Sequence, residues 1–251
     1  MSGHSKWSKI KRKKGANDAK RSKIFGRIIK EITVSVREGQ SGDPEFNSRL
    51  RLAVSNAKGA NMPKETIDRA IKKAFESKGD ALFQPTFEGY GPGGVAIFLE
   101  TMTDNNQRTV ANVRAIFNKR GGNLATSGSV GFMFERKGIF LIDPAGKDLE
   151  ELELEMIDAG VEDFDIDDET GEVELTVDFA DFGTIQKKLE ELGIEPKSAT
   201  LERIPTTTTK VDVNDAKKAL ALVEFLEEDD DVQAVYHNLE MTEEIEAALE
   251  E

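Results

Sequence analysis

The stretch DFDIDDETGEVELTVD, residues 163–178, settles the fold class. Phe164 and Ile166, then Val173, Leu175 and Val177, alternate with acids at a period of two, the spacing of half-buried strands. Between them, residues 168–171 carry turn chemistry ending in glycine. Strands are therefore expected over 163–167 and 172–178, joined as a hairpin. The same acids invite a calcium test, because Asp163, Asp165, Asp167 and Glu174 fall at loop positions 1, 3, 5 and 12 of an EF-hand. Position 6 requires glycine and holds Asp168, and the flanks alternate like strands where an EF-hand needs helices. The hairpin is the stronger reading, and weak divalent binding by the carboxylates is the lesser one.

Helical spacing appears on both sides of the hairpin, over 148–159 and 181–192, with strands beyond at 139–142 and 197–204. The order is β-α-β-β-α-β, the ferredoxin-like split arrangement. Before it come a glycine-rich loop at 88–94, a strand at 95–101 and a helix at 107–119 with Val110, Val113, Ile116 and Phe117 inward. A glycine-broken strand region at 128–135 and a tight turn at Arg136-Lys137-Gly138 complete this part. After Pro205, helix 212–226 and strand 232–236 lack partners of their own. The economical solution joins them to the elements at 95–135.

At the front, residues 1–16 show no period and read as an extended arm. A helix follows, opened at Asn17-Asp18 and closed at Gly39, with Ile24, Phe25, Ile28, Ile29, Ile32 and Val36 on one face. Asp43-Pro44 reads as a cap with proline at the first helical position. The second helix faces inward with Phe46, Leu50, Ala53, Val54 and Ala57. The third, from Pro63, does so with Ile67, Ala70, Ile71, Ala74 and Phe75. The expected fold is α+β in three domains. Residues 1–80 form a basic arm and three-helix domain, 81–136 plus 206–251 a discontinuous α/β middle domain, and 137–205 an inserted ferredoxin-like domain.

Charge is divided along the chain. Residues 1–80 carry a net +11 and the remainder −25, giving −14 overall. A local excess of this size on an acidic protein points to a polyanion, since solubility does not require it. Lys/Arg clusters bind phosphate backbones by releasing counterions. The arm offers Lys6, Lys9, Lys11, Arg12, Lys13 and Lys14, the first helix Lys20, Lys23, Arg27 and Lys30. The other helices add Arg49, Arg51, Lys58, Lys64, Arg69, Lys72 and Lys73. Trp7, the sole tryptophan, can stack on an unpaired base or anchor the arm, and the sequence does not choose. A second contact zone is read at Tyr90, Asp104, Asn105 and Arg108, where capping of the following helix by Asp104 or Asn105 is the plainer alternative.

Other classes recede. The chain has no cysteine, which removes disulfides, thiol nucleophiles and Cys-type zinc sites. His4 and His237 have no local catalytic motif, no cofactor fingerprint is present, and the glycines at 89–94 precede a strand rather than a helix. No metal, cofactor or catalytic residue is therefore assigned. A hydrolase using acidic residues is the outlying alternative. The longest uncharged stretch, residues 121–134, is broken by four glycines and too short to span a bilayer. A cytoplasmic protein with no membrane partner is expected.

A further set of motifs resembles the YebC family, relatives of the mitochondrial translational activator of cytochrome c oxidase. They are Gly3-His4-Ser5-Lys6-Trp7, Ile10-Lys11, Lys14, Asp43-Pro44, Ala57-Lys58 and Asn61-Met62-Pro63-Lys64. Others are Ile67, Arg69-Ala70-Ile71, Glu88-Gly89-Tyr90-Gly91-Pro92, Thr103-Asp104-Asn105, Arg108-Thr109 and Gly128-Ser129-Val130. The likeness is dense over residues 2–135 and thin over 139–251. It implies three domains, no catalytic activity, and a nucleic-acid-binding regulator of gene expression. In one form that is a DNA-binding transcriptional regulator. In the other it is a ribosome-associated translation factor binding ribosomal RNA and easing stalls at proline-rich sequences. Partners would be nucleic acid, with the ribosome or other proteins on the acidic domains.

Overall fold

A computed structural model describes residues 7, 18–76, 82–144 and 146–250. The chain divides into two compact units, one of residues 1–23, 79–135 and 203–251, the other of 24–78 and 136–202.

In the first unit, β1 (Thr86–Tyr90), β2 (Ala96–Thr101), β3 (Asn123–Leu124) and β8 (Val232–His237) form an antiparallel sheet of order β3-β1-β2-β8. β8 pairs antiparallel with β2. Along β2, Ile97 and Leu99 face a core made with α4 (Asn106–Lys119) and α7 (Val213–Glu227). Ala96 and Phe98 face the other side, where Phe98 meets Phe134 and Tyr236. The period of two gives one strand both faces. Val232, Leu239, Met241 and Ile245 extend the first core, the last from α8 (Glu243–Glu250), a helix the sequence reading did not name.

The second unit holds α1 from residue 24 (the helix runs Asp18–Gly39), α2 (Ser48–Gly59) and α3 (Lys64–Glu76). It also holds a ferredoxin-like sheet of order β5-β6-β4-β7, from β4 (Phe134–Ile142, in this unit from residue 136), β5 (Val161–Ile166), β6 (Val173–Asp178) and β7 (Ser198–Pro205, in this unit to residue 202). Ile32, Leu50, Ala53, Ala57, Met62 and Ile67 close the helical core. α5 (Leu149–Asp158) and α6 (Phe182–Glu191) cover one face of the sheet through Leu152, Met156, Ile185 and Leu189. The acidic stretch is a hairpin. Phe164 stands opposite Leu175 and Ile166 opposite Val173. Asp167 closes the turn by accepting from the Glu169 and Thr170 backbone N–H at 2.9 and 3.0 Å. One carboxylate oxygen thus does turn work.

Several local expectations need correcting. Pro44 does not start a helix, because residues 44–46 form a turn and Asn47 is the cap. Its Oδ1 accepts from Leu50 N at 3.0 Å, while Nδ2 donates to the Ser35 and Ser41 carbonyls at 2.7 and 3.2 Å. One buried amide therefore opens α2 and satisfies the end of α1, so Asn47→Ala is expected to lower thermal stability by about 1–2 kcal/mol. Phe46 and Phe75, read as core, are exposed, as is Ile24. The tight turn expected at Arg136-Lys137-Gly138 is instead the continuous strand β4. Gly138 is there for space, since a Cβ would come within 2.6 Å of the Phe182 ring. Residues 128–133 are turn and 3-10 helix, with strand beginning only at Phe134. Finally, Glu88, Gly89 and Tyr90, read as loop, belong to β1, and the turn occupies residues 91–95.

Within the second unit, α2 lies against edge strand β7. Asn56 Oδ1 accepts from Ala199 N at 2.8 Å and its Nδ2 donates to Ala199 O at 2.9 Å, so the amide pairs like a neighbouring strand. Gly59 makes this approach possible.

Candidate nucleic-acid interface

Lys6, Lys9, Lys11, Arg12, Lys13 and Lys14 lie outside the described residues. Lys20 is on α1, with its side chain also outside them. Trp7 is described, and it is buried in the core of the first unit with Val95, Ile97, Phe117 and Leu222 among its cluster. Its indole Nε1 has no acceptor among the described residues. Trp7 itself is 4% exposed.

The remaining cations differ in how far the fold occupies them. Lys23 donates to the Glu228 carbonyl at 2.8 Å. Arg27 and Lys30 are half-buried along α1. Arg49 donates through Nε to Glu31 at 2.8 Å and through Nη1 to Glu38, tying α2 to α1. Arg51 donates to the Pro44 and Glu45 carbonyls at 3.0 and 2.8 Å, closing the turn before its own helix. Lys64 and Arg69 on α3 are exposed and make no ion pair among the described residues. Lys73 is like them, one helical turn beyond Arg69. Among the described cations of residues 18–76, Lys64, Arg69 and Lys73 on α3 are thus exposed without an ion pair.

The second zone is knitted together internally. Asn105 caps α4 by accepting from Arg108 N at 3.1 Å. Arg108 donates to Asp231 through Nη2 at 2.8 Å and Nε at 3.3 Å, and to Asp104 at 2.9 Å. Asp231 is buried and also accepts from Thr109 Oγ1 at 2.8 Å and Thr103 Oγ1 at 3.1 Å. Its hydrogen bonds and charge hold the Arg108 guanidinium pKa above the ordinary value. Tyr90 donates its hydroxyl to the Ser129 carbonyl at 3.1 Å.

Beside Tyr90, sequence reasoning missed the most constrained group. Glu88 is 4% exposed, and its carboxylate accepts backbone N–H bonds from Gly128 at 2.7 Å, Val130 at 2.6 Å and Gly131 at 2.8 Å. Burial pushes its pKa up, but those three donors and the Arg203 charge outweigh it and hold the carboxyl below its usual range. The segments Glu88–Pro92 and Gly128–Val130, far apart in sequence, are two halves of one joint. Asp231 was missed likewise. Glu88 is marked in the sequence only by the glycine that follows it, and Asp231 only as the last acid of the run 227–231, with nothing to name either partner.

A family model described as TACO1/YebC protein N-terminal domain matches residues 5–77, and one described as TACO1/YebC second and third domain matches residues 82–239. The chain belongs to the TACO1/YebC family. A probable transcriptional regulatory protein of Amoebophilus asiaticus is 51% identical over 95% of this chain and 98% of its own length. One from Chlorobaculum tepidum is 46% identical over the whole of both. A conserved hypothetical protein from Aquifex aeolicus, known by crystal structure, has a TM-score of 0.80 at 42% identity, covering 91% of this chain and 93% of that one. The TACO1/YebC family is thus one of regulators by the names its members carry. Among the described residues of this member, no helix is long and apolar enough to cross a membrane.

Proposed function

We propose that this TACO1/YebC chain is a non-enzymatic, DNA-binding transcriptional regulator whose N-terminal module grips the phosphate backbone. The observation that carries the reading is the division of charge, +11 over residues 1–80 against −25 over the rest. The names of the relatives support it, and they speak of transcription. The acidic remainder repels the same polyanion and so keeps it on the basic module. α3 supplies Arg69 and Lys73 one turn apart, and the arm supplies Lys11, Arg12, Lys13 and Lys14.

Duplex DNA binding measured across a salt series tests this. Replacing those four arm residues with alanine is expected to weaken binding and flatten the log–log salt slope by about 0.9 for each phosphate the arm no longer neutralises. Arg69→Ala with Lys73→Ala should flatten it further. Arg49→Ala should leave the slope unchanged and lower the stability of the helices by up to about 1 kcal/mol, because its guanidinium already serves Glu31 and Glu38. A wild-type slope near zero on DNA would sink the reading. A steep slope confined to ribosomal RNA would transfer the module to translation.

A further inference from the structure

Helix α5 has the sequence LEELELEMID, with no Lys or Arg. Leu152 and Met156 point into the core of the second unit. Opposite them on the helical wheel stands Leu154, 67% exposed, with Ile157 one turn on at 50%. Glu150 and Asp158, four residues before and after Leu154, stand on the same outward side and are exposed. An apolar centre with a charged rim is the anatomy of a binding hot spot. Alanine at both positions would serve a solvated helix better.

The sign of the charge selects the occupant. Residues 137–202 hold 21 Asp/Glu against 5 Lys/Arg, a net −16, so nucleic acid and anionic lipid are both repelled. Asp158 also closes α5 at the end where the helix dipole favours a cation, and no basic residue of the last turn answers it. A partner's Lys or Arg would. Its apolar residues must meet two side chains one turn apart, the spacing that a second helix matches with its own ridges.

We propose that the outward face of α5 docks a basic amphipathic helix of a partner protein, with Leu154 and Ile157 as anchors and the flanking acids as its charged rim. This surface is separate from the basic module and does not depend on what that module binds.

The probe is a fluorescein-labelled lysine–leucine peptide of about 18 residues, long enough to be helical, with leucines on one face. A peptide of the same composition in scrambled order is its control. Full-length protein at physiological salt should bind the patterned peptide at least about tenfold more tightly, the worth of one buried anchor. Leu154→Ala with Ile157→Ala should erase that preference while leaving the thermal transition and DNA retention unchanged. Equal affinity for the two peptides, or an unaffected double variant, would overturn the proposal, because charge alone would then explain binding. Wild-type self-association in sedimentation, abolished by the double variant, would overturn it too by giving the face to a second copy of the chain. Loss of DNA binding by the wild type would test only the basic module and leave the peptide preference standing.

Discussion

Glu88→Ala is expected to destabilise the first unit by about 2–4 kcal/mol, since a buried donor left without an acceptor costs about 1–3 kcal/mol and water reaches some of the three. Gly128 is exposed and Gly131 half-exposed, whereas Val130 N is buried and has no solvent to turn to. Glu88→Gln should rescue little despite its matching shape. Both carboxylate oxygens accept N–H bonds, so either orientation of the amide sets an NH2 against a donor. The sign of the pH dependence follows from the depressed pKa. The contribution of the carboxylate is complete above the unfolded glutamate range of about 4.3 and is lost as pH falls through the lower folded value. Wild type should therefore lose more stability on acidification through that window than the Gln variant. Parallel acid profiles in thermal melts would show that the carboxylate does not hold the joint.

The same joint shows why the site was less legible than the fold. Alternation in residues 163–178 is a local signal and survives translation into β5 and β6 with shifts of one or two residues. So does the order of elements that makes the ferredoxin-like sheet, because each strand and helix announces its own period. Glu88, Asp231 and Trp7 depend on partners tens to hundreds of residues away, and no spacing in one sequence encodes such a pairing. Trp7 is the sharpest case. Its neighbours in the chain are cations, which leave stacking and anchoring equally open, while its cluster in space is made of apolar side chains of β2, α4 and α7. The misread front of α2 has the opposite cause. Asp43-Pro44 is a strong local cap signal, but the tertiary bond from Asn47 to Ser35 O sets where the helix starts. Gly138 is ambiguous because glycine marks both a turn and a close approach, and only the Phe182 ring tells which.

The separation of cations has a tertiary cause as well. Net charge pools all the basic residues of the module, whereas the fold withdraws Arg49 and Arg51 to join and close its own helices.

Gly59→Ala offers the clearest contest between local and tertiary physics. Gly59 ends α2, and helix propensity alone predicts that alanine stabilises by about 1 kcal/mol. The structure predicts the reverse. A Cβ at this position would lie 1.7 Å from the Lys197 carbonyl oxygen, a backbone atom that no rotamer change can move. α2 must then draw back from β7, breaking the paired bonds between Asn56 and Ala199 and separating Lys58 from Glu195. Overpacking of this kind costs about 1–3 kcal/mol after relaxation, so the expected net effect is destabilisation of the second unit. Hydrogen exchange locates it, with faster exchange at Ala199 N and the α2 core while the β1–β2 hairpin is unchanged. Asn56→Ala in the same assay should reproduce the change at Ala199 without altering helix propensity at residue 59. A Gly59→Ala protein that melts higher than wild type, with Ala199 still protected, would show that α2 does not rest on β7.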